Sequence, residues 1–326
     1  MLEFWNEEVA IKTQLEAVHA LIASTVAEAR SFIRPVLLDH VQAPGKMLRP
    51  ALTLITNRLS GDDTATEAIN AAAVIELIHL ASLVHDDIID AAPRRRGRST
   101  LYARLGAKQA VLGGDFLLAK ALALIDGSEA FNPRVVSSAF ARLLESELEQ
   151  DAEVGNFFVS KATYLRRIAG KTASLFALSC YAGVALATKV DSHLQMICHR
   201  IGYALGMAFQ IQDDILDYDG SAAHLGKETG NDLRCGIPTL PLILALEEER
   251  RQGSGELSSI LSKRSIGRGA ITKAISLVQR LGGIEAARAV EERYRARAEA
   301  DIARLGDSEV RRLLSSLLET LSTRSV

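Results

Sequence analysis

Leu83-Val84-His85-Asp86-Asp87-Ile88-Ile89-Asp90 closes an Ala-rich, strongly apolar stretch that begins near residue 66. Apolar residues recur there at helical spacing, and they cover almost every side of the helix until the carboxylates appear. A helix that is apolar all round belongs in the middle of a bundle. On a helix, i and i+4 share a face and i+1 lies beside them, so Asp86, Asp87 and Asp90 project from one patch. Like charges that crowd together raise carboxylate pKa values unless a cation is present. Negative charge at a helix C-terminus also opposes the macrodipole. The same pentad recurs as Asp213-Asp214-Ile215-Leu216-Asp217, closing a second apolar segment from 199 to 218. Two central helices of this kind are expected to face each other across a common cavity.

Working outward, the chain reads as helix after helix, rich in Ala, Leu, Glu and Arg. The expected fold class is all-α, with those two helices in the middle of a bundle. Breaks fall near 43–45, 61–63, 92–93, 126–128, 220–221, 236–238 and 253–255, and none is long enough to be a domain linker. A single domain over 1–326 is therefore expected. The charged segment 286–304 reads as an exposed helix face. No strand-type alternation of consequence is present.

Composition narrows the function. The chain has 326 residues, is 48% hydrophobic and carries a formal net charge of −2. No basic field exists to attract nucleic acid. Cys180, Cys198 and Cys235 show no metal-ligand or redox spacing, which fits a reducing compartment. The acidic N-terminus lacks a signal-peptide pattern, and no uncharged apolar run is long enough to span a bilayer. These features give a soluble, cytoplasmic protein as the expectation.

A single Asp-Asp-x-x-Asp is commonly a solvated helix face. Two copies that both end apolar segments, where unpaired charge is expensive, point to a built site. Hard carboxylate oxygens with open positions suit Mg²⁺, which shares its ligands with phosphate oxygens. Six carboxylates balance about three divalent ions. Basic residues follow closely: Lys46 and Arg49 in Gly45-Lys46-Met47-Leu48-Arg49-Pro50, the run Arg94-Arg95-Arg96-Gly97-Arg98, Lys171-Thr172, and Gly226-Lys227. Each alone reads as surface charge, but their placement beside the pentads suits pyrophosphate held by Mg²⁺ and Arg. No Walker-type loop marks a nucleoside triphosphate. His79 and His85 read as structural on spacing alone. Glu147 and Gln150, at i and i+3, read as an ordinary amphipathic helix. His85-Asp86 also fits a metal phosphohydrolase, but His193, His199 and His224 are poorly arranged for it.

From about residue 40 to 245 these motifs resemble the trans-isoprenyl diphosphate synthases, or polyprenyl synthetases. The likeness rests on Leu83 to Asp90 with Arg95-Arg96-Gly97, on Phe209-Gln210-Ile211-Gln212 with the second pentad, and on Gly45 to Pro50. Gly114-Asp115-Phe116-Leu117, Lys171-Thr172-Ala173 and Thr239-Leu240-Pro241 follow in the family's order. The resemblance implies the isoprenoid synthase fold, an all-α helical bundle around a deep central cavity, together with a homodimer and two substrates, isopentenyl diphosphate and an allylic diphosphate. It implies about three Mg²⁺ per active site, bound by Asp86, Asp90 and Asp213 and supported by Asp87, Asp214 and Asp217. Arg95, Lys171 and Lys227 would hold the allylic diphosphate. Lys46, Arg49, His79 and Arg96 would hold isopentenyl diphosphate. Gln210 and Thr172 would line the reacting centre, with Gln150 in the metal–water shell. Two positions depart from the pattern: Met47, where the family often has Arg, and Ile237, where it often has Lys.

The resemblance also carries a product-length expectation. The product should run beside the helix before Asp86, with Ala81 and Ser82, then Ile78, then Val74 and Ile75 as successive floors. Small residues at the first turn imply a product longer than farnesyl, a quinone side-chain precursor, with contact at a membrane surface for release. A geranylgeranyl or farnesyl product is the shorter alternative. Class I terpene cyclases typically carry a different second metal motif and lack the Lys46/Arg49 element. A non-catalytic subunit of a heteromeric synthase would be expected to lose one pentad, and this chain keeps both.

Overall fold

The computed structural model describes residues 3–43, 45–60, 64–126, 132–187, 191–219, 229–263 and 266–322. The chain is all-α, as expected. Its contacts divide it into two compact units, each drawn from three stretches. Unit 1 is Met1–Phe140, Leu175–Gly202 and Leu305–Leu314; unit 2 is Ala141–Ser174, Tyr203–Arg304 and Ser315–Val326.

The first part of the chain supplies α1 (Val9–Ala27), α2 (Arg34–Val41), α3 (Leu48–Asn57), α4 (Ala65–Ile89), α5 (Leu101–Leu105), α6 (Ala107–Asp126) and α7 (Pro133–Ala152). Helix α4 is the one read from the opening pentad, and it packs on α1, α3 and α6. Every residue from Ala71 to Ile78 is buried, so no side of α4 faces water there. Each fully buried Leu or Ile contributes roughly 1.5–3 kcal/mol. Helix α4 ends at the pentad, with Asp90 as its C-cap.

Then follow α8 (Lys161–Ile168), α9 (Ser174–Ala185), α10 (Ser192–Leu216), α11 (Asn231–Arg234), α12 (Leu240–Gln252), α13 (Glu256–Leu261), α14 (Arg268–Arg280), α15 (Gly283–Ile302) and α16 (Ser308–Ser322). Unit 2 has its own core, built on Tyr164, Met207, Ile211, Ile215, Tyr218, Leu242, Ile243 and Val278. One sequence expectation needs correction. Helix α15 is not simply an exposed face, because Ala287, Val290, Glu291, Ala298, Asp301 and Ile302 are buried along it. Two stretches, Ala65–Ile89 and Lys161–Ala185, are long and apolar enough to cross a membrane by length and composition. They are 72% and 78% buried inside the protein, as core helices are.

Within unit 1, α9 crosses α3 at Gly183. A Cβ there would overlap Thr56 Oγ1 and the Thr53 carbonyl, and Asn57 Nδ2 donates 3.0 Å to the Gly183 carbonyl. Gly183→Ala should cost about 3 kcal/mol in chemical denaturation, at the upper end for overpacking. A loss below 1 kcal/mol would mean that the two backbones do not approach this closely.

Candidate active site

In unit 1 the first pentad splits by environment. Asp87 is 1% exposed, whereas Asp86 is half-buried and Asp90 exposed. The chain then turns through Ala91, at φ 48°, into a two-residue hairpin pairing Arg94 with Ser99 and Arg95 with Arg98. Arg96 and Gly97 form the turn with φ 50° and 78°, the left-handed pair that tight hairpins favour. The hairpin returns Arg95 to the pentad, where its Nε donates 2.7 Å to Asp87 Oδ1. Asp87 Oδ2 is buried with no hydrogen-bond partner. A strained, non-glycine turn beside an orphaned carboxylate oxygen is a pattern that functional sites show.

The basic element before α3 is held by a residue that motif reading missed. Trp5, fully buried, donates Nε1 3.1 Å to the Lys46 carbonyl. Met47 follows at φ 52° and starts α3. Arg49 lies 5.0 Å over the Phe176 ring, and its Nε is buried without a partner. Burial pushes the Arg49 guanidinium down to about 10, against the opposing pull of Glu76. Arg96 reaches across to Gly45, where a Cβ would lie 2.7 Å from Nη1. Glu76 is 6% exposed and its carboxyl is raised by burial, with Arg49 and Arg96 pulling it back. His79 is held well below its ordinary value by burial and then by Arg49 and Arg96. Its ring is neutral at pH 7 and can donate or accept a hydrogen bond without adding charge. A cavity of ≈ 240 Å³ opens here, lined by Gly45, Met47, Glu76 and Arg96 among others. Arg49, His79 and Arg96 therefore share one basic corner around Glu76, and Lys46 is exposed three residues before Arg49. Glu76 is the corner's internal counter-charge, which helical periodicity could only report as a polar break in α4.

The floor residues behind the pentad sit in the core of unit 1. Ala81, Ser82, Ile78, Val74 and Ile75 are all buried on α4. Ser82 Oγ donates 2.8 Å to the His79 carbonyl and is thereby removed from the apolar surface.

In unit 2 the second pentad again buries its second aspartate. Asp213 is exposed, and Asp214 is 5% exposed. Asp214 accepts from Tyr164 OH at 2.6 Å and from Gln210 Nε2 at 2.8 Å. Gln210 Oε1 accepts in turn from Thr172 Oγ1 at 2.7 Å. Lys171 and Thr172 lie in a π-helical turn, Ala169–Ala173, between α8 and α9. Such turns are rare and frequent at functional sites. Gly170 permits it, because a Cβ there would overlap Ser146 Oγ. Lys171 Nζ donates 2.9 Å to Glu147 Oε2, so Glu147 is more than a residue of an ordinary amphipathic helix.

Asp217 accepts the backbone N–H groups of Asn231 at 3.0 Å and Asp232 at 2.9 Å. It thereby anchors α11 instead of projecting freely. That brings in Asp232, an acid that spacing did not reveal. Burial, then Asp214, Asp217 and Asp213, push the Asp232 carboxyl up to about 8. Asp214 is pushed up to about 7, mainly by burial, against its bonds from Tyr164 and Gln210. Lys227 lies outside the described residues.

The carboxylates thus sort by burial. Asp87 and Asp214 are buried, Asp86 and Asp217 are half-buried, and Asp90 and Asp213 are exposed. Among the described residues no three acids, histidines or cysteines are gathered closely enough to hold a metal ion by themselves. The donor set nevertheless fits a hard divalent cation that completes its shell with phosphate and water.

A family profile described as polyprenyl synthetase matches residues 31–278. Heptaprenyl diphosphate synthase component 2 of Geobacillus stearothermophilus is 35% identical over 94% of both chains. Among solved structures, polyprenyl synthase from Caulobacter crescentus, complexed with calcium and isoprenyl diphosphate, superposes with TM-score 0.87. It is 32% identical, over 97% of this chain and 96% of that one. Geranylgeranyl pyrophosphate synthase from Lactobacillus brevis superposes with TM-score 0.90 and 31% identity, over 99% of both chains. With both acidic pentads, the basic corner and the match across 31–278, this chain belongs to the polyprenyl synthetase family.

Proposed function

We propose that this chain is a Mg²⁺-dependent prenyltransferase made of a single polyprenyl synthetase domain. It condenses isopentenyl diphosphate with an allylic prenyl diphosphate, releases pyrophosphate and makes an all-trans polyprenyl diphosphate. The observation that carries this reading is that each pentad keeps one buried aspartate in a hydrogen-bond network, Asp87 with Arg95 and Asp214 with Tyr164 and Gln210, beside further carboxylates nearer the surface. Asp86, Asp90 and Asp213 would hold the metal ions, about three per site, with Asp87, Asp214 and Asp217 behind them. Bound there, Mg²⁺ would supply charge neutralisation for the departing pyrophosphate. The calcium and isoprenyl diphosphate in the Caulobacter relative support the same pairing of hard cation and diphosphate.

The residues then divide the work. Arg95, Lys171 and Lys227 hold the allylic diphosphate and stabilise the charge it gains as the C–O bond breaks. Arg49, Lys46, Arg96 and neutral His79 orient isopentenyl diphosphate, so that its double bond attacks the allylic carbocation. The proton lost afterwards goes to the released pyrophosphate. Thr172 and Gln210, bonded to each other, border the reacting carbons, and the apolar walls keep water from quenching the cation.

Ala81 and Ser82 favour a product longer than farnesyl, which the heptaprenyl relative supports. We place the enzyme in the cytoplasm as a homodimer, with product release at a membrane surface. Exposed Leu112 and Leu122 on α6 are suited to an apolar contact. The relative's designation as component 2 favours a second reading, in which a further subunit is needed for activity.

Purified protein with Mg²⁺, labelled isopentenyl diphosphate and allylic primers of increasing length should yield elongated products. EDTA should abolish them and excess Mg²⁺ restore them. No elongation with any primer, with or without a candidate partner subunit, would refute the assignment. Turnover of an allylic diphosphate that ignores isopentenyl diphosphate would indicate a cyclase.

A further inference from the structure

The chain has one tryptophan, and it lies outside the stretch 31–278 that the family profile matches. Trp5 stands in a short 3₁₀ turn, Glu3–Asn6, just ahead of α1, and it is fully buried in unit 1. A buried indole N–H generally finds an acceptor. Here the acceptor is the Lys46 carbonyl, 3.1 Å away and 41 positions on.

That carbonyl sits at an awkward point of the backbone. Four residues after Lys46 stands Pro50, which has no N–H, so α3 cannot extend backwards to take up the Lys46 carbonyl. The ladder of α3 starts one residue later, where the Ala51 N–H donates 3.1 Å to the Met47 carbonyl. Met47 itself is held at φ 52°, which a non-glycine residue adopts at a cost. On the other side, Gly45 lies so close under Arg96 that a Cβ would be 2.7 Å from Nη1. Residues 45–47 thus combine a strained turn with a carbonyl that the helix cannot serve, and Trp5 supplies the donor at their midpoint. This turn sets where Lys46 leaves the backbone and where α3 aims Arg49, whose guanidinium lies over Phe176. The segment that carries Trp5 is itself tied down. Glu8 accepts from Arg312 Nη1 at 2.6 Å and Nη2 at 3.0 Å, and Lys12 Nζ donates 3.1 Å to Asn6 Oδ1.

We propose that Trp5 is a positioning residue for isopentenyl diphosphate. Through the Lys46 carbonyl it fixes the strained turn from which Lys46 and Arg49 reach the diphosphate, and it does not touch substrate. The inference rests on the prenyltransferase reading and concerns the grip on one of the two substrates. Arg95 is held separately, by Asp87, so the allylic side should be spared.

Because Trp5 is the sole tryptophan, growth of a tryptophan auxotroph on β-(3-benzothienyl)alanine replaces it alone. That analogue keeps the bicyclic shape and puts sulfur where the N–H was, so the donor is lost and the packing kept. The KM for isopentenyl diphosphate should rise about five- to tenfold, the range for one lost hydrogen bond. The KM for the allylic primer and kcat should stay within about twofold, in a protein that still unfolds cooperatively. Trp5→Phe, which also removes the donor, should reproduce that split and add a loss of thermal midpoint from the smaller ring. An unchanged KM for isopentenyl diphosphate in the analogue protein, or an equal rise for both substrates, would leave Trp5 as an anchor of the chain end and overturn the inference. A wild type that elongates nothing would overturn the function first, and that result is told apart because it needs no replacement to be seen.

Discussion

Asp86→Ala and Asp213→Ala are each expected to lower kcat/KM by about 10³-fold, the scale for removing one preorganised charge-stabilising group. Folding stability should change by less than about 1 kcal/mol for exposed Asp213, where ion pairs contribute little, and by about 1 kcal/mol for half-buried Asp86. Asp87→Ala should behave differently. It removes the buried acceptor of Arg95 Nε and loosens the hairpin that carries Arg95 and Arg96. Here about 2 kcal/mol of stability should be lost together with activity. Steady-state kinetics paired with denaturant unfolding separates the two classes. Equal activity losses with equal stability losses across all three variants would mean that Asp86 and Asp213 are structural. The metal assignment would then be wrong.

The contrast between Asp86 and Asp87 marks where sequence reading stops. Both pentads, the helices they close and most of the basic residues were legible, because i, i+4 spacing is a local property. What decides each carboxylate's job is distant in sequence. Tyr164 meets Asp214 across 50 positions and Trp5 meets Lys46 across 41, and no spacing rule joins such pairs. Backbone strain was equally hidden. Met47, Ala91 and Arg96 adopt left-handed φ values that their residue types do not announce, and each abuts a candidate site residue. The π turn at Lys171 and Thr172 leaves no composition signal beyond Gly170. Glu76 and Asp232 were passed over because each is a lone acid in its segment. Both matter through burial and through neighbours that only the fold supplies. Helix α15 misled for the converse reason: its many charges hid a buried stripe that includes Glu291, whose carboxyl burial pushes up to about 7.

Product length should respond to α4 alone. Ala81→Phe is expected to shorten the main product by several isoprene units, while first-condensation turnover stays within about tenfold, since Asp86, Asp87 and Asp90 are untouched. Ala81 is fully buried and one helical turn before the pentad, so a ring there projects where the growing chain would pass. Ile78→Ala, a turn deeper, should act in the opposite direction and lengthen the product or broaden its distribution. The paired signs matter more than either result. A core without a channel would answer Ala81→Phe with overpacking of about 1–3 kcal/mol and an unchanged product, and Ile78→Ala with a cavity penalty of about 2–5 kcal/mol. Product sizing and thermal midpoints on both variants therefore distinguish a floor from mere packing. Opposite shifts in length place the tail along Ala81 and Ile78. Stability losses without any shift in length would move the floor to another helix and leave long-chain synthesis without its structural reason.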